Sequence, residues 1–386
     1  MDRGRQTHVV GLDIIRFGAA VAVAVYHLAL VVWAVEFPYP LPSVEFAGAA
    51  WFSAWFGFVG VQIFFVVSGF VIAYSAERAT PFSFARDRVV RLWPALVVSS
   101  FISVAVYASL AIYTPEEIAG RLIRQITFWP FEPWLDIVVW TLGIEIVFYG
   151  LVFLLVVCGV FHRVHGLAIA LTVWSLYYNL NSCGIDWKTG ACVIENVRLS
   201  QLLLAPHGCF FAIGIFLWAH LLKGNRLSWW TLPALVACLM QLSHETDANV
   251  ASNWFVVDLN RWVARAIVVT VWVVAIGAIY ASARWKEEIS AVLNVNGRKV
   301  SRVLGLASYP LYLIHFPVGC VLISSGYAAG LPVAYAIILS LIGVVGASIA
   351  LAVYVEFPLQ RGLRATINRL QHPLGTWANR FRVDRR

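Results

Sequence analysis

The sequence predicts an all-α protein, a polytopic transmembrane helix bundle of about ten spans, and three observations carry that reading. Of its 386 residues 61% are hydrophobic and 12% charged, with a mean hydropathy of +0.79; a soluble domain carries about 25% charged residues. Apolar runs near the ~20 residues that a helix needs to cross a bilayer recur along the whole chain. The basic residues between those runs gather on alternate loops, as the positive-inside rule requires.

The spans fall at about 9–35, 48–75, 94–112, 137–160, 166–181, 200–221, 229–243, 261–281, 303–325 and 332–357, the fifth and seventh being short. With the N-terminus cytoplasmic, in-facing loops and tails hold 21 of the 28 Lys and Arg. Out-facing loops hold four (Arg121, Arg124, Lys188 and Arg198) and the spans three (Arg16, Arg261 and Arg265). Both termini are therefore expected in the cytoplasm, and the net charge of +8 reads as a topology signal and not as a nucleic-acid footprint. Residues 1–360 form the membrane domain, and 361–386 a basic cytoplasmic tail with seven arginines, expected to lie along anionic headgroups. The basic start of the chain superficially matches a signal peptide, but the first apolar run is too long and contains a histidine, so it reads as a retained helix.

That first span, VVGLDIIRFGAAVAVAVYHLALVVWAV, keeps Asp13, Arg16 and His27. A central arginine costs about 2.5–3.5 kcal/mol on insertion scales and is a functional pointer. Eleven residues at 100° each return to within about 20° and rise roughly 16 Å, so Arg16 and His27 share a face, and Asp13 lies beside Arg16 to orient it. The second span, with Gly57, Gly60 and Gly69, reads mainly as close helix packing. Its Ser68 is either bonded back to its own helix or a nucleophile.

The loop PFSFARDRVVRLWPAL starts an amphipathic helix on which Arg88 and Arg91 project together, with Trp93 and Pro94 marking membrane entry. Two guanidiniums on one face can clamp a phosphate, though positive-inside bias alone explains arginines here. The fourth span opens WTLGIEIVFYG and places Glu145 in the membrane with Tyr149 one turn later. Glu145 marks either a polar site or a salt bridge to Arg261 or Arg265. In the ninth span Ser308, Tyr312 and His315 line up on one face, and Pro310 and Pro317 bend or unwind the helix. Glu356 closes the last span, in a capping or ion-pair role or a catalytic one.

No metal spacing is found among the six cysteines. Cys158, Cys209, Cys238 and Cys320 fall in spans as packing residues. Cys183 and Cys192 share the out-facing loop CGIDWKTGAC, where both bridged and free thiols remain open.

Six segments in order resemble acyltransferase family 3 of integral membrane acyltransferases. LDIIRFGAAVAVAVYH resembles its opening LDxxR segment, with Arg-x10-His at Arg16 and His27. GVQIFFVVSGFVI resembles its G-V-D-x-F-F-x-x-S-G-F block, RVVRLWP its Arg-x-x-Arg segment, and WTLGIEIVFYG its W-S-L-x-x-E-x-x-F-Y block. SYPLYLIHFPV and YVEFP resemble the last two motifs. Two positions depart: Gln62 stands for the common acid, and Thr141 for the serine.

The resemblance implies transfer of an acyl group, commonly acetyl from acetyl-CoA, to a sugar hydroxyl of an envelope, O-antigen or exported polysaccharide or its lipid-linked precursor. It implies a multi-pass protein of the bacterial inner membrane, with acyl-CoA as co-substrate, no tightly bound cofactor and no metal. It further implies His27 as the central catalytic residue, with Arg16, Arg88 and Arg91 serving the donor. The physics fits: a pantetheine arm is about as long as the Arg16-to-His27 rise, and imidazole suits proton abstraction near neutral pH. Glu145 is expected to orient His27 as a triad's third member does, with Asp13, Ser68, Tyr149, Tyr312, His315 and Glu356 in support. The alternative is a secondary transporter or flippase for a sugar-containing substrate, in which His27 and Glu145 relay protons; the absence of paired halves counts against it.

Overall fold

The computed structural model describes residues 9–31, 55–182, 197–251 and 260–383, and every regular element among them is helical. Helix α1 (Val10–Tyr26) continues into a π-helical turn, His27–Val31. A 3-10 turn, Trp55–Phe58, leads into α2 (Val59–Ala76). There follow α3 (Pro81–Ser109), α4 (Pro115–Ile126), α5 (Trp140–Val157), α6 (Val164–Ser182), α7 (Val197–Leu202), α8 (Gly208–Lys223), α9 (Thr231–Ala251) and α10 (Arg261–Arg284). The chain ends with α11 (Lys286–Val292), α12 (Val295–Ala328), α13 (Val333–Ala350), a second π-helical turn at Leu351–Glu356, and α14 (Phe357–Val383).

Seven helical stretches among the described residues are long and apolar enough to cross a membrane, and α8 is a shorter apolar helix. The protein is thus an all-α, multi-pass membrane protein. The centre of the bundle is made by α1, α2, α8 and α12, with α2 packed against α1 and α8, and α1 against α12. Helix α2 is apolar round nearly its whole circumference, which suits a helix buried on all sides. Its glycines make that closeness possible. A Cβ on Gly60 would sit 2.5 Å from the Ala19 carbonyl, and Gly69 and Gly214 face the backbones of α8 and α2 in turn, so the packing reading of these glycines holds.

Two expected boundaries move, each for a local reason. The helix that carries the third span begins at Pro81, ahead of the apolar run at 94: Thr80 and Ser83 form a capping box with Pro81 in the first turn, and Pro94 sits inside the helix. The sixth is broken. Leu204 adopts a left-handed φ of 58° and Pro206 follows, separating α7 from α8 and leaving His207, which is buried, at the break. In α12 neither Pro310 nor Pro317 unwinds the helix, which runs unbroken for 34 residues. Cys183 and Cys192 lie outside the described residues, as does the start of the second span.

Candidate functional site

The amphipathic start of α3 delivers Arg88 and Arg91 together into a cavity of about 310 Å³. Arg16 of α1, Ser68 of α2, Glu145 and Tyr149 of α5, and Ser308 and Tyr312 of α12 line the same space. So do Asp87, Tyr309, Gln360 and Arg364, which the sequence reading left out. Four arginines against two carboxylates give the lining a net positive charge. Arg364 belongs to the basic tail, whose helix α14 runs through position 360/361 and docks on α3: Arg364 lies 3.2 Å from Asp87, and Arg86 donates to Asn368 at 2.8 Å.

The arginines are held differently. Arg91 reaches Glu356 at 3.5 Å and the Gly305 carbonyl at 3.4 Å. Glu356, 3% exposed, also accepts from Gln360 at 2.6 Å; it does not line the cavity and acts on it through Arg91. Arg88 lies over the Phe84 and Tyr149 rings, and its buried Nε has no hydrogen-bond partner. Asp13 and Glu145 are both close enough to act electrostatically on Arg16. A guanidinium with unused donors facing a cavity is fitted to a multivalent anion.

Ser68 does not bond back to its own helix. Tyr149 donates to Glu145 at 3.1 Å, so the Ser68 hydroxyl, 3.3 Å from the Tyr149 oxygen, supplies the proton of that contact. The alternative partners of Glu145 are engaged elsewhere: Arg265 forks onto Asp247, and Arg261 lies 3.8 Å from the same carboxylate.

His27 lines a second cavity, also of about 310 Å³, with Gln62, Trp140, His207, Gln241, Glu245 and Asn249 among its walls. The two cavities share Val61 and Tyr312. Arg16 and His27 therefore serve adjoining spaces along α1, as their common helix face requires. Glu145 does not accompany His27; it lines the other cavity, and the partner of the imidazole is His315. His27 Nδ1 and His315 Nε2 are 2.9 Å apart, with the rings stacked.

Hydrogen-bond logic fixes the tautomers. A carbonyl only accepts, so His315 Nδ1, 3.1 Å from the Leu311 carbonyl, carries a proton, and its Nε2 is an acceptor. His27 Nδ1–H then donates to it, and His27 Nε2 keeps its lone pair. Tyr312, on the same face of α12, donates to the Val138 carbonyl at 2.9 Å and takes a hydrogen bond from Thr141 at 2.9 Å. The threonine that departs from the family pattern thus still supplies a hydroxyl.

A sequence profile described as an acyltransferase domain matches residues 9–356. The chain belongs to acyltransferase family 3. It is similar to the O-acetyltransferase OatA of Staphylococcus aureus, at 27% identity over 92% of this chain, in strains NCTC 8325, COL and MRSA252 alike. The matched region is 57% of those relatives' length, so this chain spans little more than half of them. No solved structure matches the chain. Within the family framework the matching motifs converge on the two cavities: Arg16, Ser68, Arg88, Arg91 and Glu145 line the first, His27 the second, and Tyr312 both. Sequence reasoning missed His207 because a continuous span was expected there, and Arg364 because it was assigned to a tail.

Proposed function

We propose that this protein is a membrane O-acyltransferase that moves an acyl group, most simply acetyl, from coenzyme A to a sugar hydroxyl of an envelope or exported polysaccharide or its lipid-linked precursor. The observation that carries the reading is the pair of adjoining cavities, one lined by arginines and the other holding an imidazole with a directed lone pair. A coenzyme A polyphosphate suits the first, its phosphates on Arg16, Arg88, Arg91 and Arg364 and its thioester reaching toward the Tyr312 junction. His27 Nε2 takes the proton of an acceptor hydroxyl as that oxygen attacks the thioester carbonyl. The C–S bond breaks, and the departing thiolate takes up the proton that His27 holds. His315 Nε2 remains hydrogen-bonded to the imidazolium meanwhile, as the orienting member of a triad does. The gathering of basic residues on alternate loops supports a donor on the cytoplasmic side of a bacterial inner membrane, with the acceptor on the other.

The test is ester formation by purified protein in proteoliposomes of defined orientation, with acetyl-CoA and glycoside acceptors on the same or opposite faces. Product with the two on opposite faces is expected. Product only with both on the cytoplasmic face rejects transfer across the membrane, and substrate translocation without thioester cleavage rejects the enzyme in favour of a transporter.

A further inference from the structure

The second cavity holds a polar cluster that proton abstraction does not need. Gln62 of α2 donates its amide to Glu245 Oε2, and Gln241 donates to Oε1 at 2.8 Å. Two amide donors from separate helices fix this carboxyl group and leave it further acceptor capacity. His207, set at the break between α7 and α8, is 2% exposed, and neither of its ring nitrogens has a hydrogen-bond partner. Its Nδ1 is 3.6 Å from Glu245 Oε1, outside hydrogen-bond reach. The buried Oε1 of Gln62 is unpartnered as well. Buried polar atoms are normally satisfied, so three idle ones round one cavity call for a ligand rich in hydroxyls. The Trp140 ring stands beside them, its centre 5.8 Å from that of His207.

Charge narrows the class. Among the described residues lining this cavity there is one carboxylate and no lysine or arginine. Arg198 bonds the Trp140 carbonyl from outside the lining, so an anionic ligand would meet Glu245 with no cation in the cavity wall, whereas a neutral sugar donates hydroxyl protons to it. Residue 62 is glutamine where the resemblance leads one to expect an acid, and in this chain a carboxylate comes from α9, in contact with the Gln62 amide.

We propose that Glu245, held by Gln62 and Gln241, forms with His207 and Trp140 the acceptor subsite for a neutral pyranose. One hydroxyl donates to Glu245, a neighbouring one pairs with the His207 ring, and the apolar face of the sugar lies on Trp140. This rests on reading the second cavity as the acceptor side, and the test separates the two.

The probes are the methyl glycosides of glucose, galactose and N-acetylglucosamine, their monodeoxy analogues, and methyl glucuronide, given to the full chain in nanodiscs. Binding is measured without acetyl-CoA, and ester formation with it. Glu245→Gln and His207→Phe, checked for wild-type melting temperature, should each raise the glycoside Kd and KM roughly tenfold or more, with the KM for acetyl-CoA unchanged. Glu245→Gln should also abolish discrimination against one monodeoxy analogue, because the hydroxyl removed is the one it bonds, and should narrow the preference for glucoside over glucuronide. Wild-type protein that binds none of the neutral glycosides, or both variants binding within about twofold of wild type, overturns the subsite. Binding that depends on Glu245 without any ester formed keeps the subsite and rejects acyl transfer.

Discussion

Replacing His315 with phenylalanine removes the acceptor that orients His27 while keeping a ring of similar size in a fully buried position. In the wild type the His27 Nδ1–H is paired with His315 Nε2 at 2.9 Å. Without it that N–H is left short of a partner, at a cost of about 1–3 kcal/mol borne by the tautomer that presents Nε2 to the substrate. At 1.36 kcal/mol per factor of ten, kcat should fall roughly 5- to 150-fold. His315→Gln, whose amide oxygen accepts the same N–H, should recover part of the rate. The double variant with His27→Ala should be no worse than His27→Ala alone, because both changes act through one imidazole. The assay is ester formation at saturating acetyl-CoA by protein in nanodiscs, with melting temperature as the folding control. Wild-type kcat in His315→Phe, or losses that multiply in the double variant, would refute the tautomer argument.

Three further outcomes are expected. His27→Ala and His27→Gln should both lower transfer by about 10²–10⁴ while melting as the wild type does, since a base is lost but little packing; normal turnover by folded His27→Ala ends the mechanism. Lysine at Arg16, Arg88 or Arg91 should weaken acetyl-CoA binding in calorimetry, because a point charge cannot fork onto a phosphate, and unchanged affinity in all three would reduce these residues to a topology signal. Burial pushes the Asp136 carboxyl up to about 6 from 3.8, against the opposing hydrogen bonds from Ser103, Gln125 and Tyr107. The folded state therefore holds a proton that the unfolded chain has released, so this group's contribution, roughly 3 kcal/mol at full effect, is present below pH 4 and lost as pH rises through 6. The melting temperature of wild type relative to Asp136→Asn should fall between pH 5 and 7.5, and a constant difference would contradict it.

Much of the bundle was legible because the bilayer dictates length and polarity, so apolar runs map onto helices with small shifts. The shifts arise where local chemistry outweighs hydropathy: the Thr80–Ser83 capping box starts α3 before its apolar run, and Leu204 with Pro206 breaks a run that hydropathy joins. The site was legible in part. Helical spacing aligns Arg88 with Arg91 and Glu145 with Tyr149, and the matching motifs mark these residues and Arg16, all of which lie round one cavity. The partner of His27 was misread, since helix spacing says nothing of what an opposing helix brings. His315 is 288 positions away, and only the packing of α1 on α12 joins the two. Glu245 and His207 carry no motif; the signal is three-dimensional, in the unpaired atoms of His207 and Gln62 beside Glu245 round a cavity.

Under the proposed mechanism, the difference between the two cavities bears on why the His27 imidazole is paired with a histidine and not with an acid. A carboxylate beside His27 would stabilise the imidazolium more strongly than a neutral ring does, but it would add negative charge at the junction that a coenzyme A thioester has to approach. In this chain neither carboxylate is bonded to His27: Glu145 lies among the arginines with Tyr149 as its donor, and Glu245 is held by two amides in the other cavity. The residues that the two cavities share, Val61 and Tyr312, are neutral, with the Tyr312 hydroxyl occupied by Val138 and Thr141, and His27 lines the second cavity beside them. Such a passage sets no charge against an acyl group crossing from an arginine-lined space to one suited to hydroxyls. The neutral His27–His315 pair gives up some stabilisation of the imidazolium and in exchange keeps the passage between donor and acceptor uncharged.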